Sequence, residues 1–165
     1  MTTRIRRIGT TSRYLSDYFI VRFFMLAAGP SEKPLDPDAE RLNRIREQGY
    51  KILVIDDDDD FRKSFCFKLR RKYKAEVEDV VSGEEGVKKM SDGHRYDFIF
   101  TDIMMPAGMS GVEAYHKLRE IDAETPIVIM SAYSDSEGWK EAQQLGVPLL
   151  HKPISDGQLD RILDA

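Results

Sequence analysis

The chain has 165 residues, which is long enough for one domain of ordinary size and an appendage. Its 41% hydrophobic and 33% charged residues are typical of a globular protein, and its formal net charge of -4 does not favour direct binding of nucleic acid. The single cysteine, Cys66, cannot form an internal disulfide, which favours a reducing, cytoplasmic location.

Residues 1–31 are predicted to be a basic and apolar N-terminal extension, because five arginines and an apolar stretch at 18–28 set them apart. The apolar stretch is too short to span a bilayer. A short anchor, a cleavable targeting peptide and a basic amphipathic segment stay open, but we expect a poorly ordered extension without chemistry. Residues 32–49 are predicted to be a linker and a short helix with Asp36 as its N-cap.

The next stretch, Lys51–Asp60, is an apolar run that ends in five consecutive aspartates. A run without polar alternation indicates a strand buried on both faces, as in a parallel sheet covered by helices. The aspartates then follow the carboxyl end of the strand, where open α/β sheets bind their ligands. Adjacent carboxylates repel each other, so a bound divalent cation is the simplest explanation of the cluster.

Strand and helix patterns alternate from residue 50 to the end of the chain. A second strand near 75–81 mixes apolar and acidic residues and is predicted to lie at an edge. Ser134 and Glu137 have the spacing of a capping box and predict the start of a later helix. Further strands are predicted at 96–101, 126–130 and 147–151. Five strands separated by helices predict a three-layer α/β domain over residues 50–165.

Four of the predicted strands end in polar residues. Asp56 and Asp57 follow the first strand, and Asp102, Ser131 and Lys152 follow the third, fourth and fifth. In a parallel sheet these side chains would emerge at the same edge. Carboxylates from two strands can hold Mg²⁺, and a carboxylate can accept a phosphoryl group as an acyl phosphate. An ammonium group and a hydroxyl would then stabilise the phosphoryl oxygens.

Four segments, LVIDDDDDFR, FIFTDIMMP, IVIMSAY and LLHKPIS, occur in this order and resemble the receiver domain of two-component response regulators. The resemblance covers about residues 50–165. It implies a flavodoxin-like fold, with a five-stranded parallel sheet of order 2-1-3-4-5 and helices on both faces. It also implies a phosphoacceptor signalling domain that assists its own phosphorylation and dephosphorylation, and not an enzyme.

The resemblance assigns roles to single residues. Asp102 would accept the phosphoryl group from a sensor histidine kinase or a histidine phosphotransfer protein. Mg²⁺ would be bound by Asp57, Asp102 and the backbone carbonyl of Met104, with Asp56 acting mostly through water. Ser131 would contact the phosphoryl group together with Lys152.

The resemblance also implies a cis peptide bond between Lys152 and Pro153. Two features depart from the family pattern. Leu149 stands where receivers commonly carry the Tyr or Phe of a switch, and the loop at 106–111 is one residue longer than usual. Because no output domain follows, we expect a single-domain regulator that acts on an unknown downstream protein without binding nucleic acid; a homodimer stays open.

Two other functions stay open at this point. A hydrolase similar to the haloacid dehalogenase phosphatases would use Asp56 as nucleophile and Asp58 as acid. A binding module that keeps the fold without phosphorylation is the other alternative. A calcium EF-hand is excluded, since the sixth and twelfth positions of the acidic run are Phe61 and Phe67, where Gly and Glu are needed.

Overall fold

The computed structural model describes residues 37–163 apart from Ala107, and leaves out the side chains of residues 37–40, 42 and 46. The predicted extension, the linker before residue 37 and the predicted cap at Asp36 lie outside the described residues. Among the helices of the described part, none is both long and apolar enough to cross a membrane.

Helices and strands alternate along the described chain. They are α1 (Pro37–Gln48), β1 (Lys51–Ile55), α2 (Asp59–Tyr73), β2 (Glu76–Val80), α3 (Gly83–Ser91), β3 (Phe98–Asp102), α4 (Gly111–Ile121), β4 (Ile127–Ser131), α5 (Glu137–Gln144), β5 (Leu149–His151) and α6 (Asp156–Leu163). The strands form one parallel sheet in the order β2-β1-β3-β4-β5. The predicted flavodoxin-like fold and its strand order are therefore confirmed.

The sheet is covered by helices on both faces because the side chains of β1 alternate between two apolar clusters. Ile52 and Val54 pack into a cluster with residues of α2 and α6. Leu53 and Ile55 pack into a second cluster with residues of α3 and α4. The four side chains are fully buried. The unbroken apolar run in the sequence thus reflects burial on both faces of a central strand.

The predicted edge position of the second strand is confirmed, since β2 pairs only with β1 within the described sheet. Val77 and Val80 are buried in the two apolar clusters on opposite faces of the sheet, whereas Glu76 and Asp79 are exposed. The mixed pattern in the sequence therefore comes from an edge strand that buries one valine on each face of the sheet and leaves acidic residues exposed.

The structure places one predicted helix start two residues later along the chain. The side chain of Ser136, and not that of Ser134, is the N-cap of α5, and it accepts a hydrogen bond from the backbone N–H of Trp139. The Ser136 hydroxyl also bonds to the carbonyl of Tyr133, so the chain forms a turn before the helix begins. The predicted start at Ser134 is wrong because Ser134 lies in the turn that precedes the helix. The spacing between Ser134 and Glu137 alone does not reveal this turn.

Candidate functional site

The carboxyl ends of the strands bring the predicted site residues to one edge of the sheet. The register pairs Asp102 with Met130 across β3 and β4, and Ser131 with His151 across β4 and β5. The backbone N–H of Lys152 donates to the carbonyl of Ser131 at 2.8 Å. Side chains that are far apart in the sequence are therefore neighbours, as a parallel sheet requires.

The ammonium group of Lys152 lies at the centre of the site. Its Nζ is 2.7 Å from Oδ2 of Asp56 and 2.7 Å from Oδ1 of Asp102. The aromatic ring of Phe61 covers the group, with its centroid 4.0 Å from Nζ. The Lys152 side chain is only 12% exposed, and that of Asp56 is fully buried. The site is thus a buried arrangement of two carboxylates and one ammonium group.

Main-chain donors fix the second oxygen of each buried carboxylate. Oδ2 of Asp102 accepts a hydrogen bond from the N–H of Met104 at 2.8 Å, and Oδ1 of Asp56 accepts one from the N–H of Asp58 at 3.1 Å. The side chain of Asp58 in turn caps α2 by accepting from the N–H groups of Asp60 and Phe61. This part of the acidic run therefore begins a helix.

The electrostatics of the site leave negative charge in excess. Burial raises the pKa of both Asp56 and Asp102, and the hydrogen bonds from Lys152 oppose that rise only in part. Burial alone would lower the pKa of Lys152, but its hydrogen bonds to Asp102 and Asp56 hold that pKa above its ordinary value. Two carboxylates share one ammonium group, so a bound cation would relieve the remaining repulsion.

Asp57 and Ser131 lie at the same edge but outside this arrangement. Asp57 is exposed and lines a cleft of about 240 Å³ together with Glu84, Met105 and other residues. The buried Ser131 hydroxyl donates to the carbonyl of Tyr133 at 3.1 Å and accepts from the N–H of the same residue at 3.0 Å. The structure therefore brings Asp56, Asp102 and Lys152 into contact, and places the other two predicted residues beside them.

The donor chemistry of this edge fits a hard divalent cation. Asp56, Asp57 and Asp102 offer carboxylate oxygens, and Met104 offers a backbone carbonyl, which are the donor types that Mg²⁺ prefers. Within residues 37–163 as described, however, no group of three or more His, Cys, Asp or Glu side chains is placed to hold a metal ion. The physical reason is that the Lys152 ammonium lies between two of the carboxylates while Asp57 turns to solvent.

The loop after β3 is held at both of its ends. Gly111 donates its N–H to the carbonyl of Ile103 at 3.0 Å, and a Cβ at Gly111 would lie 2.0 Å from the carbonyl oxygen of Asp102. The N–H of Met109 donates to Oε1 of Glu84 at 2.8 Å. These contacts fix the stretch that carries the Met104 carbonyl, with Gly111 packed directly against the backbone of Asp102.

Two further predictions concern the fifth strand. The peptide bond between Lys152 and Pro153 is cis, as the resemblance implies. Leu149 is half-buried against the small apolar cluster beneath α5, whereas Tyr133 is 61% exposed in the neighbouring loop. The structure thus has a packed aliphatic side chain in the position where an aromatic switch is common.

Sequence reasoning missed Arg62. Its guanidinium is buried and donates to the backbone carbonyl of Asp56 at 2.8 Å. A signal for this was present, because Arg62 precedes the buried Phe65, Cys66 and Leu69 by three, four and seven residues and therefore shares their helical face.

Comparison with known proteins shows one consistent family. The model of the response regulator receiver domain matches residues 52–164. Two-component response regulator 24 of Arabidopsis thaliana is 30% identical over 129 residues, which cover 78% of this chain and 91% of that protein. Transcription factor SKN7 of Saccharomyces cerevisiae is 30% identical over 135 residues; these cover 81% of this chain but only 21% of SKN7.

A solved structure agrees with the sequence comparisons. The receiver domain of the Francisella response regulator 1452 is 28% identical and superimposes with a TM-score of 0.59, covering 70% of this chain and 93% of that one. The likeness therefore extends over nearly the whole of that receiver domain.

Proposed function

The chain belongs to the response regulator receiver domain family, and we propose that it accepts a phosphoryl group on the Asp102 carboxylate in a Mg²⁺-dependent reaction. The observation that carries this proposal is the position of the Lys152 ammonium group, 2.7 Å from Oδ1 of Asp102 within a buried site. An ammonium group held beside a carboxylate can stabilise the charge of an incoming phosphoryl group.

In the proposed reaction, a carboxylate oxygen of Asp102 attacks the phosphorus of a phosphohistidine. A P–O bond forms, the P–N bond breaks, and the imidazole leaves with the electron pair. The N–H of Met104 already orients the Asp102 carboxylate by binding Oδ2. Lys152 then transfers one of its hydrogen bonds from Asp102 to a phosphoryl oxygen, while its bond to Asp56 holds the ammonium group in place.

We propose that Mg²⁺ is held by Asp57, Asp102 and the carbonyl of Met104, with Asp56 acting mainly through water. When bound, the cation neutralises charge on the phosphoryl oxygens during transfer. The acidic side chains favour its binding because three carboxylates lie at this edge and only two of them contact the single ammonium group of Lys152.

The Ser131 hydroxyl links the proposed chemistry to a change of surface. It bonds at present to the N–H and carbonyl of Tyr133. A phosphoryl oxygen that attracts this hydroxyl would compete with both bonds and so release the segment before α5. The proposed switch is therefore a rearrangement of this segment and of the neighbouring surface of β5, which a downstream protein would recognise.

We further propose a cytoplasmic regulator with a histidine kinase or phosphotransfer protein as its phosphodonor. The net charge of -4 does not favour direct contact with nucleic acid. SKN7 is a transcription factor, but this chain spans only 21% of it, so that activity does not transfer to the present chain.

The test is a titration with beryllofluoride and Mg²⁺, followed by the intrinsic fluorescence of Trp139 and by NMR. We expect the wild-type protein to respond and Asp102→Asn to stay silent, whereas an equal response of the two would refute the proposal. Asp57→Ala should weaken Mg²⁺ binding in calorimetry. Hydrolysis of a generic phosphate ester that is lost in Asp56→Asn but kept in Asp102→Asn would instead favour the hydrolase alternative.

A further inference from the structure

Arg62 holds a buried position directly beneath the acidic edge. The residue is 5% exposed, and its guanidinium contacts three residues. Nη1 donates to the carbonyl of Asp56 at 2.8 Å, Nε donates to Oδ2 of Asp79 in β2 at 3.1 Å, and Nη2 donates to Asp59 in the first turn of α2. A buried guanidinium is costly unless it is paired, and these contacts supply the pairing.

The hydrogen bond from Arg62 to the Asp56 carbonyl lies directly after the end of β1. Asp56 is the first residue after β1, and its N–H still donates to the carbonyl of Val80 in β2 at 3.1 Å. Its carbonyl has left the strand ladder and is bound by Arg62 instead. Both polar groups of the Asp56 main chain are therefore held, one by the sheet and one by the guanidinium.

Fixing this carbonyl also fixes the start of Asp57. The peptide group is planar, so the orientation of the Asp56 carbonyl sets the orientation of the Asp57 N–H and Cα. Asp56 and Asp57 are the two residues of the acidic run to which the proposed metal site assigns a role. Arg62 thus touches neither carboxylate in this pair, but it holds the peptide group that joins Asp56 to Asp57.

We propose that Arg62 is a positioning residue for the cation site and acts through the main chain of Asp56. This inference rests on the proposed function, since it concerns the binding of Mg²⁺ at that site. It makes a prediction of opposite sign to simple electrostatics. Removal of a positive charge next to a cation site should strengthen cation binding, whereas loss of a positioning contact should weaken it.

The test uses Arg62→Met in the full chain, with Mg²⁺ affinity measured by calorimetry and folding checked by urea denaturation. We expect Kd for Mg²⁺ to rise about fivefold to tenfold, the factor that corresponds to the net contribution of one ordinary hydrogen bond. A Kd that is unchanged or lower, in protein that remains folded, would overturn the inference.

Arg70 provides a matched control on the same helix. Its Nη2 donates to the carbonyl of Val77 at 2.7 Å and lies 3.6 Å from Asp79, so it also ties α2 to β2 with one positive charge. It has no hydrogen bond to the main chain of Asp56 among the described contacts. Arg70→Met should leave Kd within about twofold of the wild type. If Kd rises as much in Arg70→Met as in Arg62→Met, the weaker binding comes from a general loss of packing and the inference is wrong.

Arg62→Lys keeps the experiment decisive if Arg62→Met does not fold. Lysine keeps the charge but lacks the fork that reaches three partners at once, so we expect this variant also to bind Mg²⁺ more weakly. Wild-type affinity in Arg62→Lys would show that charge alone suffices and would contradict the positioning role. If the wild type binds Mg²⁺ no more tightly than Asp57→Ala does, the proposed function itself is contradicted.

Discussion

Replacement of Lys152 by methionine tests the charge balance of the site. The substitution keeps an unbranched side chain of similar length and removes the ammonium group that lies 2.7 Å from both Asp56 and Asp102. Two buried carboxylates then face each other without a counter-charge. Breaking a buried ion pair by removing one partner costs about 3–5 kcal/mol, and we expect a loss of unfolding free energy of about 3 kcal/mol at pH 7.5. The value lies at the low end because either carboxyl group can take up a proton instead.

The sign of the pH dependence follows from this protonation. Without Lys152, the folded-state pKa values of Asp56 and Asp102 rise further above those of the unfolded chain, since burial already raises them. A carboxyl group whose pKa is raised by folding loses stability as the pH increases through that pKa. The deficit of Lys152→Met should therefore be large at pH 7.5 and smaller at pH 5, and Mg²⁺ should restore part of it at the higher pH.

Urea denaturation at the two pH values, with and without Mg²⁺, measures these effects. Lys63→Met is a suitable control, since Lys63 is exposed and pairs with Asp59 on the surface of α2. We expect no measurable loss in that variant. A deficit of less than about 1 kcal/mol in Lys152→Met, or one that grows as the pH is lowered, would contradict the account of the site as an ammonium group shared by two buried carboxylates.

Two further predictions concern the framework around the site. Gly111→Ala should lower the unfolding free energy by about 2 kcal/mol, because its Cβ would lie 2.0 Å from the carbonyl oxygen of Asp102. Gly157→Ala is the control, since nothing lies within 4 Å of the added carbon. Thermal denaturation should show no loss of stability in this control. Burial would raise the pKa of Glu78, but hydrogen bonds from Lys89 and other groups outweigh it and lower that pKa to about 2. The ionised form therefore stabilises the fold above pH 4.5, and this contribution decreases as the pH falls toward 2. Glu78→Gln should therefore be about 1 kcal/mol less stable at pH 7, and a difference that does not shrink between pH 7 and pH 2.5 would exclude the carboxylate as its source.

The ends of the buried strands could be predicted because the sequence itself marks them. Each buried strand is an apolar run, and a polar residue marks the place where it leaves the core. Asp102 and Lys152 follow such runs directly, and the parallel sheet brings them together without any further information. The sequence also predicted the edge position of β2, since acidic residues interrupt its apolar pattern.

Other features of the site depend on contacts that no local pattern contains. Asp56 and Asp57 both follow β1. The direction in which each side chain leaves the end of the strand decides that Asp56 is buried against Lys152 while Asp57 is exposed. Arg62 would ordinarily be placed on the surface of a helix, and its burial depends on Asp79, which lies seventeen residues away. Ser136 caps α5 because of a turn that the spacing of serines alone does not reveal.

The acidic run is best understood as a division of tasks between its members. Asp56 bonds the central ammonium group, Asp58 caps α2 and Asp59 pairs with Arg62. Asp57 is exposed and faces a cleft at the same edge. Because Asp56, Asp58 and Asp59 are already bound to groups that shape the site, a cation that approaches Asp57 meets excess negative charge without having to break those contacts. Cation binding at Asp57 can therefore relieve repulsion within the run.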